Sequence, residues 1–267
     1  MLYLYLILTG TSVGIISALF GIGGGALAVP ILYTLFPEFP PQTVISTSLG
    51  MIFVNSIINF YNFTKKGKKV DKKLAFFLGL SAMIGVFLGK KFVMILNPLL
   101  VKKSFGVVLI LLAAKTWLAP ASHHSEAHWK LTLTKINPFR PILIGFLGGL
   151  VAGFTGLGGG AVMVPFFMVF LKMPFQWLSI YSNFTMIFAT GIGALGFALT
   201  PFPGYINLPL NEYMVGYLNY LVVGLIFVGA FFSSRLGIHF HAKIPPALNK
   251  KLFIALLLLL SLKILVS

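Results

Sequence analysis

Long apolar stretches separated by short polar connectors dominate this 267-residue chain. Four stretches fall in each half, and most approach the ~20 residues that an α-helix needs to cross a bilayer. They cover residues 2–36, 44–63, 74–89, 105–118, 142–171, 175–199, 213–233 and 252–266. The pattern predicts an all-α, polytopic integral membrane protein with about eight hydrophobic segments.

The first stretch of each half is too long for one straight span, because about 30 residues at ~1.5 Å each exceed a ~30 Å hydrocarbon core. Each contains a glycine cluster that is followed by a proline, Pro30 or Pro165. The glycines are Gly21, Gly23, Gly24 and Gly25 in the first half, and Gly156, Gly158, Gly159 and Gly160 in the second. Glycine is a weak helix former and proline lacks an N–H, so we predict a helix break at each cluster, with the prolines contributing to it.

The two halves resemble each other beyond the glycines. Ser48 matches Ser182, and a Lys-Lys pair before a leucine-rich run occurs near the end of each half. We therefore predict a first membrane repeat over residues 1–118, a polar connecting loop over 119–141 and a second membrane repeat over 142–267. Broken helices repeated at equivalent positions are typical of secondary transporters whose substrate lies between the breaks.

Two topologies fit this pattern. If all eight stretches cross the membrane, the 20 Lys and Arg residues divide almost evenly between the two sides. If the glycine-containing stretches are re-entrant hairpins and the halves are inverted, 15 of the 20 lie on the side of the basic connector 65–73. Cytoplasmic connectors are enriched in Lys and Arg, which favours the re-entrant topology and leaves the other open.

Composition supports a membrane environment, since apolar residues make up 58% of the chain and charged residues 9%, against the usual ~45–50% and ~25%. A net charge of +16 would indicate nucleic acid in a soluble protein. Here the basic residues lie in connectors and near the ends of apolar stretches, where they act as topology signals and lipid contacts. We expect a lipid bilayer partner and no nucleic acid, while a homo-oligomer stays open.

The glycine breaks suit an anionic ligand, because a helix that restarts after a break presents free N–H groups and the positive end of its dipole. Neutral polar side chains near the breaks are candidates for further hydrogen bonds to the substrate. They are Thr47, Ser48, Asn55, Asn59, Ser182 and Asn183. The alternative is that these small polar residues only allow close helix packing.

The acidic residues argue against proton coupling. All four, Glu38, Asp71, Glu126 and Glu212, fall in connectors. No carboxylate is then available for a relay at mid-membrane, which also disfavours a cation permease. An inside-negative potential drives an anion outward by about 2.3 kcal/mol per charge per 100 mV, so export needs no coupling ion.

Other motifs carry less weight. Gly21-x-Gly23-x-x-Ala26 matches part of a dinucleotide fingerprint, but no βαβ pattern accompanies it. No nucleophile-and-base pair appears in the apolar segments, so we predict neither enzyme activity nor a cofactor. Three histidines of the connecting loop leave a metal site open, although a solvated loop is favoured. They are His123, His124 and His128.

The sequence resembles the TauE/SafE sulfite exporter family, also called the toluene-sulfonate uptake permeases. The shared features are the doubled glycine motif with its proline, Thr47-Ser48, the basic connector Lys65-Lys66-Gly67-Lys68-Lys69-Val70-Asp71 and the paired Lys-Lys-x-Phe pattern. The resemblance covers nearly the whole chain. It implies a bacterial-type inner (plasma) membrane transporter of small sulfur-containing anions such as sulfite, sulfoacetate or other organosulfonates. Tyr181-Ser182-Asn183 departs from the family's Thr-Ser-Leu-like pattern, so the substrate stays open.

Together these features predict a multi-pass exporter of a small anion, with a central site formed by the two glycine breaks. The alternative is a membrane scaffold or accessory subunit that transports nothing. The glycine breaks favour the transporter, because a scaffold has no need for two broken helices at equivalent depths.

Overall fold

The computed structural model describes residues 1–20, 23–65, 67, 69–118, 137–202 and 208–266. These residues form ten α-helices, one 3₁₀ turn (Asn211–Tyr213) and one antiparallel pair of short strands, β1 (Met214–Val215) and β2 (Leu218–Asn219). The helices are α1 (Leu2–Phe20), α2 (Gly25–Leu35), α3 (Pro41–Lys65), α4 (Lys72–Ile95), α5 (Pro98–Leu118), α6 (Phe139–Thr155), α7 (Gly160–Phe170), α8 (Phe175–Ala198), α9 (Tyr220–Lys243) and α10 (Pro246–Val266).

The prediction of an all-α polytopic membrane protein is confirmed. Among the described residues, α1, α3, α4, α8 and α9 are long and apolar enough to cross a bilayer, and α2, α6 and α7 are shorter apolar helices. Large apolar side chains such as Phe76 (61% exposed) and Phe232 (72% exposed) lie on the outside of the bundle. Such an apolar exterior suits contact with lipid.

The start of α9 differs from the sequence-based expectation of a helix from residue 213. Gly216 has a φ of 55° in the turn between β1 and β2, a conformation that favours glycine. The side chain of Asn219 then caps α9 by accepting a hydrogen bond from Val222 N at 3.0 Å. Because of this turn and this cap, α9 begins at Tyr220 and not at residue 213.

The first apolar stretch of the second half turns back on itself between α6 and α7. A cavity lies between the beginning of α6 and the end of α7, lined by Phe139 and Arg140 on one side and by Phe170 and Lys172 on the other. The two ends of this segment therefore lie on the same side of the bundle. This geometry is that of a helical hairpin, as the re-entrant topology requires, and not of a straight span.

The first half contains a similar reversal between α1 and α2. A Cβ added to Gly24 would overlap the side chain of Val13 and lie 3.4 Å from Cβ of Ser17. The beginning of α2 therefore lies back along α1 and not beyond its end. We call residues 23–25 the first tip and residues 156–160 the second tip.

The prolines do not break the helices, so this part of the prediction is wrong. Pro30 lies inside α2 and Pro165 inside α7, and both helices continue past them. Each proline is the sixth residue of its helix, where it removes one backbone hydrogen bond to the preceding turn while the helix continues on both sides of it. The breaks lie at glycines with positive φ.

The long helices α3 and α8 cross at the centre in opposite directions. A Cβ on Gly193, late in α8, would lie 2.9 Å from Leu49, which is early in α3. Conversely, Asn59, late in α3, donates to Asn183, which is early in α8. The two helices are therefore antiparallel.

Glycines allow two pairs of helices to approach with their backbones in contact. A Cβ on Gly10 of α1 would overlap the carbonyl oxygen of Ile226 in α9, and one on Gly149 of α6 would overlap that of Ala82 in α4. Such small-residue contacts are a main source of helix association in membranes. They fasten one arm of each hairpin to a long helix of the other half.

We predict that Gly149→Ala destabilises the protein, because its methyl group must push α6 away from the backbone of α4. Overpacking of this kind costs about 1–3 kcal/mol, enough to lower the midpoint of thermal unfolding in detergent by several degrees. The matched control is Gly224→Ala on α9, where nothing lies within 4 Å of the added Cβ. Equal midpoints for the two variants would contradict the backbone contact.

Candidate functional site

The two tips touch each other at the centre of the bundle. A Cβ on Gly25 would lie 2.6 Å from the carbonyl oxygen of Gly156 and 2.8 Å from the carbonyl carbon of Leu157. A side chain at this position has no room, so the tips depend on glycine for their approach. Gly21, the remaining candidate of the first cluster, lies outside the described residues.

Positive φ angles form the sharp turns at both tips. Gly23 and Gly24 have φ of 76° and 83°, and Gly156, Gly158 and Gly159 have φ of 74°, 77° and 78°. L-residues with a Cβ pay about 1–2 kcal/mol each in this region. Five such residues in two short turns explain why both clusters are glycine-rich.

Helices α2 and α7 begin in the same way at the two tips. In each, the first helical bonds run to the carbonyl of the preceding glycine. They are Leu27 N and Ala28 N to Gly24 O, and Val162 N and Met163 N to Gly159 O, all between 2.9 and 3.1 Å. Since a helix lacks internal acceptors for its first N–H groups, each tip directs backbone donors and a positive dipole end toward the centre.

Two apolar side chains lie against both tips, and sequence reasoning missed them. A Cβ on Gly23 would lie 2.6 Å from both Ile52 Cγ2 of α3 and Met186 Sδ of α8, and one on Gly158 would lie 2.8 Å and 3.4 Å from the same atoms. Both side chains are buried. Ile52 and Met186 stand four residues after the paired serines Ser48 and Ser182, which is the signal that could have found them.

The polar face predicted for α3 exists and reaches the second tip. Ser48 Oγ donates to Gly156 O at 2.8 Å. Ser48, Ile52, Asn55 and Asn59 follow one another at intervals of three or four residues, so they lie on one face of the helix. This face passes the tip at Ile52 and continues toward the C-terminal end of α3.

Asn59 connects three helices below the tips. Its Nδ2 lies 3.1 Å from Ser17 Oγ of α1 and 3.3 Å from Asn183 Oδ1 of α8, and Asn183 in turn donates to Ser179 O at 2.7 Å. All of these side chains are buried. The structure thus brings together Asn59 and Asn183, two predicted site residues that are far apart in sequence.

Asn55 is the most unusual polar residue of the site. Its side chain is 2% exposed, and neither Nδ2 nor Oδ1 has a hydrogen-bond partner. Ser46 Oγ and Ser56 Oγ on the same helix are also buried without a partner. Buried polar groups are nearly always bonded in proteins, so each of these groups requires an explanation such as a ligand or water.

Thr47 and Thr190 form their hydrogen bonds away from the tips, and Ser182 lies on the same helix as Thr190. Thr47 Oγ1 accepts from Asn219 N at 3.2 Å, which ties α3 to the cap of α9. Thr190 donates to Met186 O within its own helix. Ser182 is fully buried on α8, four residues before Met186.

The charged residues described by the structure lie away from the tips. Glu38, Asp71 and Glu212 fall in connectors or helix caps, and the remaining acid, Glu126, lies outside the described residues together with His123, His124 and His128. Among the described residues, no group of three metal-binding side chains occurs. Any charge on a ligand at the tips must therefore be balanced by dipoles and neutral donors.

One lysine on a membrane-spanning helix donates hydrogen bonds to the C-terminal end of a neighbouring helix. Lys90 of α4 donates to Gly196 O and to Thr200 Oγ1, which lies 2.7 Å away, at the C-terminal end of α8. Its Nζ also lies 5.5 Å from the ring centre of Phe197. A cation at a helix C-terminus offsets the negative end of the dipole, so Lys90 stabilises α8 and not the tips.

We predict opposite stability effects for two asparagines that are one helical turn apart. Asn59→Leu removes the donor from Ser17 Oγ and Asn183 Oδ1 and should cost about 1–3 kcal/mol. Asn55→Leu removes amide groups that have no partner, so the free energy of unfolding should stay the same or rise. Thermal unfolding of both variants in one detergent is the measurement. Equal destabilisation would contradict the difference in bonding.

The chain matches known proteins over nearly its full length. A family model described as sulfite exporter TauE/SafE matches residues 6–264. A probable membrane transporter protein of Haemophilus influenzae is 32% identical over 252 residues, covering 94% of this chain and 91% of the relative. One of Methanocaldococcus jannaschii is 34% identical over 249 residues (90% and 87%), and one of Bacillus subtilis is 28% identical over 265 residues (91% and 90%). No solved structure matches the chain.

Proposed function

We propose that this chain, which belongs to the TauE/SafE sulfite exporter family, exports a small sulfur-containing anion through a site between its two glycine tips. The family and the relatives make the chain a membrane transporter with a small-molecule substrate. Sulfite, sulfoacetate or another organosulfonate is the substrate class that we infer. The observation that carries the proposal is the meeting of two helix N-termini at the tips.

The sign of the substrate charge follows from the donors at the tips. Backbone N–H groups and two positive dipole ends favour an anion, and roughly half an elementary charge at each helix start suits a singly or doubly charged one. No carboxylate of the described residues lies at the tips to repel it. An oxyanion also has several acceptor oxygens, which match donors that converge from two sides.

The unpartnered amide of Asn55 provides a neutral donor one helical turn after Ile52, which lies against both tips. A hydrogen bond to a charged group is stronger than one between neutral groups, so Asn55 gains most when an anion is present. Because the amide carries no charge, it does not hold the anion too tightly for release. This explains why a polar group without a partner persists at 2% exposure.

Ile52 and Met186 form the constriction that the anion must pass. Buried polar groups of α3 occur on both sides of Ile52, with Ser46 before it and Asn55 and Ser56 after it. Apolar constrictions stop ion flow by excluding water. We infer that the tips and these two side chains separate during transport, since their present contacts leave no room for a ligand.

The pseudo-equivalent contacts support two inverted repeats, residues 1–118 and 142–267, joined by the loop 119–141. Both repeats begin with a re-entrant hairpin, and their matching helices α3 and α8 run antiparallel. Lys250 donates to Trp117 O, which places the start of α10 beside the end of α5. The basic ends then gather on one side, which the positive-inside rule makes cytoplasmic in a bacterial-type inner membrane.

We predict that the purified protein in liposomes carries one sulfur-containing anion when a membrane potential is imposed. Sulfite, sulfate, thiosulfate, a short sulfonate and chloride are compared as tracers. Asn55→Leu should lower the flux of the preferred anion about 10- to 100-fold, because a hydrogen bond to a charged ligand contributes about 1.5–3 kcal/mol.

The control for this experiment is Ile57→Leu, a change on the lipid-facing side of the same helix, where Ile57 is 41% exposed. It should leave the flux unchanged. Absence of flux for every anion with a folded protein would favour the non-transporting scaffold. Flux that Asn55→Leu does not change would place the anion elsewhere.

We predict that single cysteines introduced at Lys172 and at Lys250 react with an impermeant thiol reagent only from the cytoplasmic side. The chain has no cysteine of its own, so the label reports one position. Lys103, near the start of α5, supplies the opposite control and should react only from outside. Labelling of Lys172 and Lys250 from outside would contradict the inverted arrangement.

A further inference from the structure

The cavity between the arms of the second hairpin is apolar in its depth and basic at its mouth. It has a volume of about 550 Å³, and its walls include Leu143 and Leu147 of α6 and Phe166 of α7. Arg140 and Lys172 line it where the two arms end. Leu143 is 42% exposed, so the cavity opens toward the lipid-facing exterior of the bundle.

The two cations have no acidic neighbour in this cavity. None of its lining residues is Asp or Glu, and the part of the chain that the structure describes provides no ion pair for Arg140 or Lys172. Both side chains are exposed. Two uncompensated cations next to an apolar groove match a ligand that has an anionic head and a hydrocarbon tail.

The strained backbone conformation of Lys172 indicates that the positive charge at this position serves a function. Lys172 has a φ of 49°, a left-handed conformation that glycine commonly adopts after a helix end. The turn is completed by a hydrogen bond from Met173 N to Phe167 O at 3.1 Å. A glycine would be less strained here, so the lysine costs stability at a place where its charge faces the cavity mouth.

The first hairpin lacks this pair of cations. Its α1 begins with Leu2-Tyr3-Leu4-Tyr5, and its α2 is followed by Pro37 and Glu38. The C-terminal end of α1 packs against α10, since the ring centres of Phe20 and Phe253 lie 5.5 Å apart. The basic cavity is therefore specific to the second hairpin.

We propose that an anionic phospholipid occupies this cavity, with its phosphate between Arg140 and Lys172 and an acyl chain in the apolar groove. A free phosphate ion would occupy only the basic mouth and leave the apolar groove, which forms most of the walls, without a ligand. A zwitterionic lipid supplies the chain but carries its own cation close to the two basic residues. The anionic lipid satisfies both parts of the cavity.

A bound lipid also affects the hairpin mechanically, because the groove separates its two arms. Leu147 of α6 and Phe166 of α7 both line the cavity, roughly two turns of helix from the second tip. An acyl chain between them fixes the distance between the arms and hence the position of the tip. This effect on transport depends on the proposed function, whereas lipid binding itself does not.

Native mass spectrometry of the purified full chain in detergent tests the lipid site. Phosphatidylglycerol and phosphatidylcholine with the same acyl chains are added in equal amounts. The wild type should retain one phosphatidylglycerol in preference, and Arg140→Gln/Lys172→Gln should weaken that binding about 10- to 30-fold, the loss expected for two interfacial cations. Lys69→Gln/Lys73→Gln removes the same charge from exposed positions on the same side and should leave the binding unchanged.

A groove-filling variant distinguishes a lipid from a small anion. Leu143→Trp keeps both cations and should also lose the lipid, and Val169→Trp repeats the test from the opposite wall, where Val169 is 37% exposed. Soluble glycerol phosphate should not displace phosphatidylglycerol from the wild type.

Three outcomes would overturn the proposal. They are equal retention by the Arg140→Gln/Lys172→Gln protein and its control, retention in both tryptophan variants, or displacement by glycerol phosphate. All are read without substrate, so loss of the lipid site leaves the anion-transport proposal intact. Conversely, absence of anion flux in liposomes does not affect the lipid measurement.

Discussion

The close approach of two glycine tips is the constraint on which the rest of this structure depends. Gly25 lies against the backbone of Gly156, and the turns on both sides require positive φ. Only residues without a Cβ satisfy both conditions cheaply. The same turns reverse each hairpin, begin α2 and α7 and direct their N-terminal donors to one point. Chain reversal and anion affinity thus have a single origin.

The surrounding helices must hold the two tips in position without covering them. Backbone contacts through Gly10 and Gly149 fasten α1 to α9 and α6 to α4. The second arms, α2 and α7, are short, and a lipid-accessible cavity separates α7 from α6. The cavity between the outer ends of α6 and α7 leaves room for the two arms to move relative to each other, which suits the opening that we propose for transport.

Hydropathy and glycine pattern predict the fold class and the position of both breaks, and the count of basic residues favours the reversal that the structure contains. Sequence reasoning also selected Asn59 and Asn183, which prove to be neighbours. It did not select Ile52 and Met186, because an apolar residue in an apolar helix carries no signal of its own and only the spacing of four residues from Ser48 and Ser182 sets these two apart. It gave the prolines a part in the breaks, although both lie in the middle of helices that continue past them.

Anion binding between the two tips is tested most directly by a crystal structure of the protein with selenite, a heavier analogue of sulfite whose selenium is located by anomalous scattering. We expect one ordered peak between the first turns of α2 and α7, within hydrogen-bond distance of the Asn55 amide and with the tips moved apart. An ordered peak elsewhere in the bundle, with Gly25 and Gly156 still in contact, would contradict it.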